Sequence, residues 1–431
     1  MREMKDSGIE WIGEIPATWE CLHLKYLCTF KTGGTPNGKK GIDFEGDYPW
    51  ITPQDIQESF DIEKYTQYIS KESLRSSNFV LFPRGTVLLV CIASVGKVGI
   101  INTLAYANQQ ITALKANDAV LPRFLGYVVS AGSTQMAFDA SSNVIPIINT
   151  KYLQNFSVAC PPLSEQKNIV TFLDSKCSKI DAISAGIQKE IEILEQFKRS
   201  VITEAVTKGL NPDAEMKDSG VAWCPQIPSH WQYSNPKGLF GLRTDRAFRD
   251  DRQLTASQEY GIVYQDEYME KTGNKVVTVT KDFSILKHVE PDDFVISMRS
   301  FQGGLEYSDK RGCISSAYVM LIPNKEFVYV PFYRWFFKSS KYINALQSTS
   351  NLVRDGQAMR YANFVKVPLF IVPIEEQKAI ASYLDEKIEK VNSILAAKKK
   401  QLEILSNYKK SLIYEYVTGK KEADIKQYVR I

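Results

Sequence analysis

Apolar residues recur in steps of three and four over two long stretches of the chain. The first carries Ile180, Ile183, Ile187, Ile191, Leu194 and Val201. The second carries Leu384, Ile388, Val391, Leu395, Leu402, Leu405 and Leu412. Such steps put one narrow apolar stripe along a helix, as in a coiled-coil seam. Pro162 with Glu165, and Pro373 with Glu375 and Glu376, are helix-start signals, because acidic side chains in a first turn meet the positive end of the helix dipole. Gly209 and Gly419 end the two runs. The pattern predicts helices over 161–208 and 373–420. A helix of roughly 45 residues is about 65–70 Å long, longer than an ordinary globular helix. One narrow stripe needs one partner, so each helix predicts the other as its mate.

The two stretches are copies. Glu165-Gln166-Lys167 returns as Glu376-Gln377-Lys378, 211 positions on (376 − 165). At that offset Leu173 falls on Leu384, Asp174 on Asp385, and Leu194 on Leu405. The opening Met4-Lys5-Asp6-Ser7-Gly8, with Trp11, Ile15-Pro16 and Trp19, returns as Met216-Lys217-Asp218-Ser219-Gly220, with Trp223, Ile227-Pro228 and Trp231. A period this long means two domains of one design rather than a solenoid. An internal duplicate imitates a two-fold dimer, in which both partners use the same surface. Two helices related in this way run antiparallel, so the sequence predicts a ruler carrying two heads.

Between these segments lie two middle blocks, roughly 20–160 and 232–372. In the first, Thr86–Ile92, Val98–Ile101 and Asn143–Ile148 read as strands, and Phe124–Ser130 as a short helix. In the second, Val276–Val279, Phe294–Ser297 and Ala317–Ile322 read as strands and Pro331–Phe337 as a helix. Thr32–Gly38, Gly303-Gly304 and Arg311-Gly312 are turn chemistry. The blocks share this layout but little residue identity. The frame is duplicated and what it holds has diverged.

Composition changes this picture little. The 431 residues are 44% apolar and 24% charged, with net charge +4, a weak argument for an acidic partner. No apolar run is long enough to cross a membrane, and the N-terminus lacks the apolar stretch of a signal peptide. Seven scattered cysteines and three histidines indicate neither a disulfide frame nor a metal site. A reducing cytoplasm is expected.

Catalytic signatures are missing where they would be sought. Gly96-Lys97 is followed by Val98, and Cys91 stands where a phosphate-binding loop needs its first glycine. Asn235-Pro236-Lys237 lacks the second proline of an amino-methyltransferase motif. No acidic-x-Lys follows Pro291-Asp292-Asp293, so a turn is expected there. His23, His230 and His288 stand apart from cysteines and acidic clusters. No catalytic residue and no metal ligand is assigned.

What remains is recognition chemistry. Arginine reads guanine through O6 and N7, glutamine or asparagine reads adenine through N6 and N7, and lysine meets phosphate. The candidates for DNA contact are Lys39, Lys40, Gln54, Lys97, Gln109, Gln110 and Lys151 in the first half, and Arg243, Arg246, Arg299, Gln302, Arg354, Gln357 and Arg360 in the second. Lys398-Lys399-Lys400 and Lys409-Lys410 are expected on solvated flanks of the coiled coil. Lys398 falls on the seam and marks a register device or a local opening.

The opening segments, the two helix starts, and the phrases Pro49–Ile56, Ala93–Lys97 and Met298–Gly304 together resemble the DNA-specificity subunit of type I restriction-modification systems, over nearly the whole chain. The resemblance implies an α+β fold: two mixed α/β target recognition domains joined by two long helices in an antiparallel coiled coil, with a pseudo-two-fold repeat. It divides the chain into 1–160, the first recognition domain; 161–208, the first spacer helix; 209–372, a linker and the second domain; 373–420, the second helix; and 421–431, a tail. It implies a subunit without catalytic residues that reads a bipartite duplex target, one half-site per domain. Its partners would be double-stranded DNA, two methyltransferase subunits using S-adenosylmethionine, and restriction subunits using ATP and Mg. No cofactor is expected in this chain. Base-reading residues are expected where the chain resembles nothing, over 55–78, 133–148, 243–275 and 346–361. The competing reading is a coiled-coil scaffold between proteins with no DNA role.

Overall fold

The computed structural model of the chain describes residues 2–35, 46–57, 59–70, 80–140, 145–279, 283–297, 300–349 and 360–423. Both long helices form, over Leu163–Lys208 and Ile374–Val417. Neither contains proline, and each begins just after one. Gly209 and Gly419 follow them with φ of 75° and 72°, in the left-handed region that glycine enters without strain. Any larger residue at 419 would also drive its Cβ to 2.3 Å from Pro16 Cδ.

The chain forms two units, residues 1–189 with 399–431 and residues 190–398. Each holds one middle block and a stretch of both long helices. The first unit is built on a five-stranded sheet in the order Cys28–Thr32, Ile111–Ala116, Val87–Val90, Val98–Ile101, Asp61–Ile62. Its pairs are antiparallel except the last. The helix Pro122–Ala131 packs on this sheet and buries Phe124, Leu125, Tyr127, Val128 and Val129. One apolar core then continues through Ile169, Leu173 and Ile180 of the first long helix and Leu412, Ile413 and Val417 of the second.

The second unit repeats the plan. Its four-stranded antiparallel sheet runs Phe240–Arg243, Val319–Pro323, Phe294–Ile296, Glu306–Tyr307. The helix Val330–Phe336 supplies Phe332, Tyr333 and Phe336 to an aromatic core with Phe240, Phe294 and Phe337. That core continues into Ile202 and Val206 of the first long helix and Ile380, Leu384 and Ile388 of the second.

Three sequence expectations need correction. Val276–Val279 makes no strand, and Val277 is 89% exposed. The residues are β-branched, which favours a strand, but Val279 commits its backbone N–H and carbonyl to the Gln253 side chain instead of a ladder. Of Asn143–Ile148, residues 143 and 144 lie outside the described residues. The rest makes only an isolated bridge, Ile147 to Ile92, before a helix over Thr150–Asn155. The strand expected over Thr86–Ile92 is shorter, Val87–Val90.

Within each unit the helices run antiparallel. In the first unit the Phe172 ring stacks on Tyr416 with centroids 4.3 Å apart, and Lys409 Nζ lies 2.5 Å from Asp181. In the second, Lys398 Nζ lies 2.6 Å from Glu190, and Lys198 donates to Asn392 Oδ1 at 2.7 Å. In both, residue numbers rise along one helix as they fall along the other.

Ile180, Leu384, Ile388, Val391, Leu395 and Leu412 are buried, as is Ile191. Ile187, Leu194, Val201, Leu402 and Leu405 are half-buried. Ile183 is 54% exposed and does not lie in the seam; its place is taken by Ser184, half-buried one residue on. With that change the first stripe runs Cys177, Ile180, Ser184, Ile187, Ile191, Leu194, Lys198, Val201, an unbroken alternation of three and four. The second runs unbroken only through Lys398 and Lys409. Lys409 is therefore no solvated flank: its side chain is 12% exposed and its charge is answered by Asp181. Polar seam positions with specific partners fix register, because any slip leaves a half-buried charge unpaired.

All seven cysteines are free thiols, and only Cys21 is more than slightly accessible. Burial pushes the Cys28 thiol up to about 12 and those of Cys160, Cys177, Cys224 and Cys313 up to about 11. Thiolate, the reactive form, is therefore scarce. Titration of the native chain with a disulfide reagent at neutral pH should label Cys21 first and at most one thiol rapidly, and all seven after denaturation. Rapid labelling of three or more would contradict this packing.

Candidate functional site

The start of each long helix is locked to its middle block by the same set of contacts. Gln166 is fully buried. Its Oε1 accepts from Leu121 N at 2.8 Å, and its Nε2 donates to Ala119 O at 3.1 Å and Pro161 O at 2.9 Å. Gln377, also fully buried, accepts from Tyr329 N at 2.8 Å and donates to Phe327 O at 2.8 Å and Val372 O at 2.7 Å. In both units the amide ties together two places. One is the connection between a central strand and the block's helix, through residues two apart. The other is the carbonyl five residues before the glutamine. An amide offers one acceptor oxygen and two donor hydrogens, and here each is engaged.

The preceding glutamate holds the opening segment. Glu165 Oε2 accepts from Trp19 Nε1 at 2.9 Å and also meets Arg2. Glu376 Oε2 accepts from Trp231 Nε1 at 3.0 Å and meets His230 Nε2 at 2.7 Å. Both tryptophans are buried.

Two turns further along, an aspartate holds the block's helix. Asp174 Oδ1 accepts from Tyr127 Oη at 2.6 Å and from Arg123 Nε at 2.8 Å; Arg123 also reaches Asp61 on the sheet. Burial, then the neighbouring Cys177 and Asp174, push the Tyr127 hydroxyl up, so it stays a donor. Asp385 accepts from Trp335 Nε1 at 2.8 Å and pairs with Arg334. The sequence marked these residues only as repeated positions; the repetition itself was the signal that they act.

The far side of the first sheet gathers its turns into one edge. Gly34 N donates to Ala107 O at 2.8 Å, Asn108 N to Ile51 O at 2.9 Å, and Trp50 Nε1 to Gly34 O at 3.1 Å. A Cβ on Gly33 would fall 2.2 Å from Ala107 O, so only glycine fits. The buried Asp55 accepts four bonds, from N and Oγ1 of Thr52 and of Thr66, at 2.7–2.8 Å. It pins the loop that presents Gln54 and Gln57 to solvent. Gln109 is exposed one residue from this junction and accepts from Thr35 Oγ1. Gln110 is half-buried and bonds Asn108 in both directions. Gln54 and Gln109 are thus brought to one edge.

Lys97 and Lys151 stand elsewhere. Lys97 lines a cleft of about 940 Å³ together with Gln57, Gln135, Ser184 and Lys410. Lys151 lies exposed on the Thr150–Asn155 helix. Lys39 and Lys40 lie outside the described residues.

In the second unit, Asp251 accepts from Phe248 N, three residues back, at 2.8 Å, the turn that Asp55 makes with Thr52. Asp251 is buried and also bonds His288 Nδ1 at 2.7 Å, while His288 Nε2 bonds Glu290 at 2.7 Å. The histidine is therefore not isolated: the fold supplies carboxylates that its sequence neighbourhood lacks. Through Asp251, which also accepts from Phe248 N, the ring braces this turn. Around it lie the exposed Arg246, bonded to Ile285 O, and the exposed Arg249. Arg243 differs: its side chain is 15% exposed and donates to both oxygens of the buried Asp293, at 2.6 and 3.0 Å. Burial opposes the Arg243 charge, but the Asp293 carboxylate outweighs it and holds Arg243 above the usual range. Arg243 braces the sheet. Arg360 is exposed at the start of a short helix, Tyr361–Phe364. Arg299, Arg354 and Gln357, and the side chain of Gln302, lie outside the described residues.

Among the described residues no group of three or more histidine, cysteine or acidic side chains could hold a metal ion, and no helix is long and apolar enough to cross a membrane.

Two copies of one arrangement in one chain are also what comparison with known proteins finds. The type I restriction modification DNA specificity domain matches twice, over residues 16–193 and 228–404. Each match runs from an opening segment into a long helix. The chain is 26% identical to the putative type I restriction enzyme MjaX specificity subunit of Methanocaldococcus jannaschii, over 95% of each chain. It is 21% identical to that organism's MjaVIII specificity subunit, over 94% of this chain and 93% of the relative. Among solved structures, a chain from a type I R-M system studied for its complex assembly and conformational transition superposes with a TM-score of 0.64 at 14% identity, covering 94% of this chain and 99% of that one. The chain belongs to the type I restriction-modification DNA specificity family, as a subunit that carries two copies of the specificity domain.

Proposed function

We propose that this chain reads a split duplex target, one half-site per unit, and presents it to two methyltransferase subunits and to restriction subunits. One observation carries the reading. Two divergent blocks and their opening segments are mounted on two long helices by side chains at matching positions, from Gln166, Glu165 and Asp174 in one unit and from Gln377, Glu376 and Asp385 in the other. A scaffold between proteins has no need of two different heads on a repeated mount, whereas a reader of two half-sites does. Gln54 and Gln109 on the first unit's edge and Arg246 and Arg249 in the second have the chemistry for base and phosphate contact.

Docking of partners is supported by apolar side chains left in solvent along the long helices. They are Ile183, Ile404 and Tyr408 in the first unit, and Ile193, Phe197 and Ile394 in the second. Apolar residues repeated on a helix flank suit added helices. S-adenosylmethionine would be bound by the methyltransferase subunits, and ATP and Mg by the restriction subunits. The complex would work in the cytoplasm.

The test is a map of N6-methyladenine in the host genome, with and without this gene and with a cognate methyltransferase subunit co-expressed. One split motif, modified on both strands, should vanish on deletion. An unchanged map would return the chain to the scaffold reading.

A further inference from the structure

We propose that Gln166 and Gln377 are positioning residues that set the gap between the two half-sites, by fixing the angle at which each recognition block stands on its helix. The inference rests on the specificity reading above and deepens it.

Both amides are fully buried. A buried glutamine is an unusual choice for cohesion alone, since leucine of similar size would pack there without a desolvation cost. What glutamine adds is direction. Its three hydrogen bonds run to three backbone groups. One, Pro161 O or Val372 O, precedes the long helix. The other two, Ala119 O and Leu121 N or Phe327 O and Tyr329 N, belong to the block. Hydrogen bonds of 2.7–3.1 Å tolerate little change in angle, while an apolar contact tolerates sliding. Each amide therefore admits one seating of block on helix.

Apart from a long contact of Gln166 Nε2 with Cys160 Sγ at 3.7 Å, the partners are main-chain atoms, so the seating depends little on which side chains the block carries. A reader whose heads diverge needs this, because the gap must stay constant while the half-sites change. Asp174 and Asp385 reach block side chains instead, and so cannot give that independence.

The experiment uses the full chain co-expressed with its methyltransferase subunit, carrying Gln166→Leu, Gln377→Leu or, to keep volume and flexibility closer, Gln166→Met. The genome-wide methyladenine map is read for each. The wild-type map supplies both half-sites and their gap. The variants should keep both half-sites but raise methylation about tenfold at sites whose gap is one base pair longer or shorter. A purely structural role would lower methylation evenly at every site and leave the gap distribution unchanged; that result overturns the proposal. Failure of all three variants to assemble also overturns it, by assigning the glutamines to folding. A wild-type map without a split motif would instead overturn the specificity reading itself.

Discussion

Leu384→Glu should abolish cooperative folding of the unit formed by residues 190–398. Leu384 is completely buried in the second long helix, within the core that holds Ile380, Ile388, Ile202 and Trp231. Truncating a leucine in such a place costs about 2–5 kcal/mol. Glutamate adds a carboxylate without a partner to a core of aliphatic and aromatic side chains. Against a total stability of about 5–15 kcal/mol, the sum removes the unit. Leu194→Glu provides the contrast. Leu194 is half-buried on the seam, so its carboxylate can reach water, and a loss of about 1–2 kcal/mol is expected. Thermal unfolding followed by circular dichroism should show a lost or sharply lowered transition for Leu384→Glu and a shift of about 2–8 °C for Leu194→Glu. Capture of the methyltransferase subunit should fail for the first variant only. A Leu384→Glu chain melting within about 2 °C of wild type would refute the core described for this unit.

That contrast shows what the sequence reveals and what it hides. Helix spacing is a strong signal, and it was doubled here by an offset near 211 residues, so both helices and their antiparallel pairing were legible. Burial along the seam was less so. Counting only apolar positions admitted Ile183, which lies in solvent, and passed over Ser184, Lys198 and Lys409, which complete the alternation. A polar residue on a seam is visible only once its partner is known, and the partners lie on the opposite helix, Asn392 for Lys198 and Asp181 for Lys409.

The glutamine clamps were hidden for a different reason. Glutamine is a surface residue by default, and the groups it meets are backbone atoms, which have no identity in a sequence. Only the return of Glu-Gln-Lys at both helix starts pointed there. Among the candidate DNA contacts, Arg243 is instead bound by Asp293 within the sheet, a pairing that no local pattern announces. The edge that gathers Gln54 and Gln109 depends on Gly33 and Asp55, whose roles appear only when distant turns meet.

Exchange of residues 20–160 for the corresponding block of another family member should change one half-site of the methylated motif and leave the other intact. The expectation follows from how the block is held. Gln166 grips the main chain at Ala119 and Leu121, and Trp19 and Glu165 both lie outside the exchanged segment, so these contacts survive any block sequence. Asp174 alone needs a donor from the block, now supplied by Arg123 and Tyr127. A donor block whose helix offers arginine, tyrosine or tryptophan there keeps this contact; one that offers only apolar residues should leave the part-exposed carboxylate to water and lose about 1 kcal/mol or less. Specific sites are bound roughly 10³-fold or more tighter than non-specific DNA. Methylation at the original motif should therefore fall to background while a hybrid motif appears with the second half-site and the gap unchanged. Because the second unit holds its own block through Gln377, Glu376 and Asp385, nothing in the exchange touches its mount. A map in which both half-sites change would mean that the two blocks read DNA jointly, and one in which neither changes would place recognition outside residues 20–160.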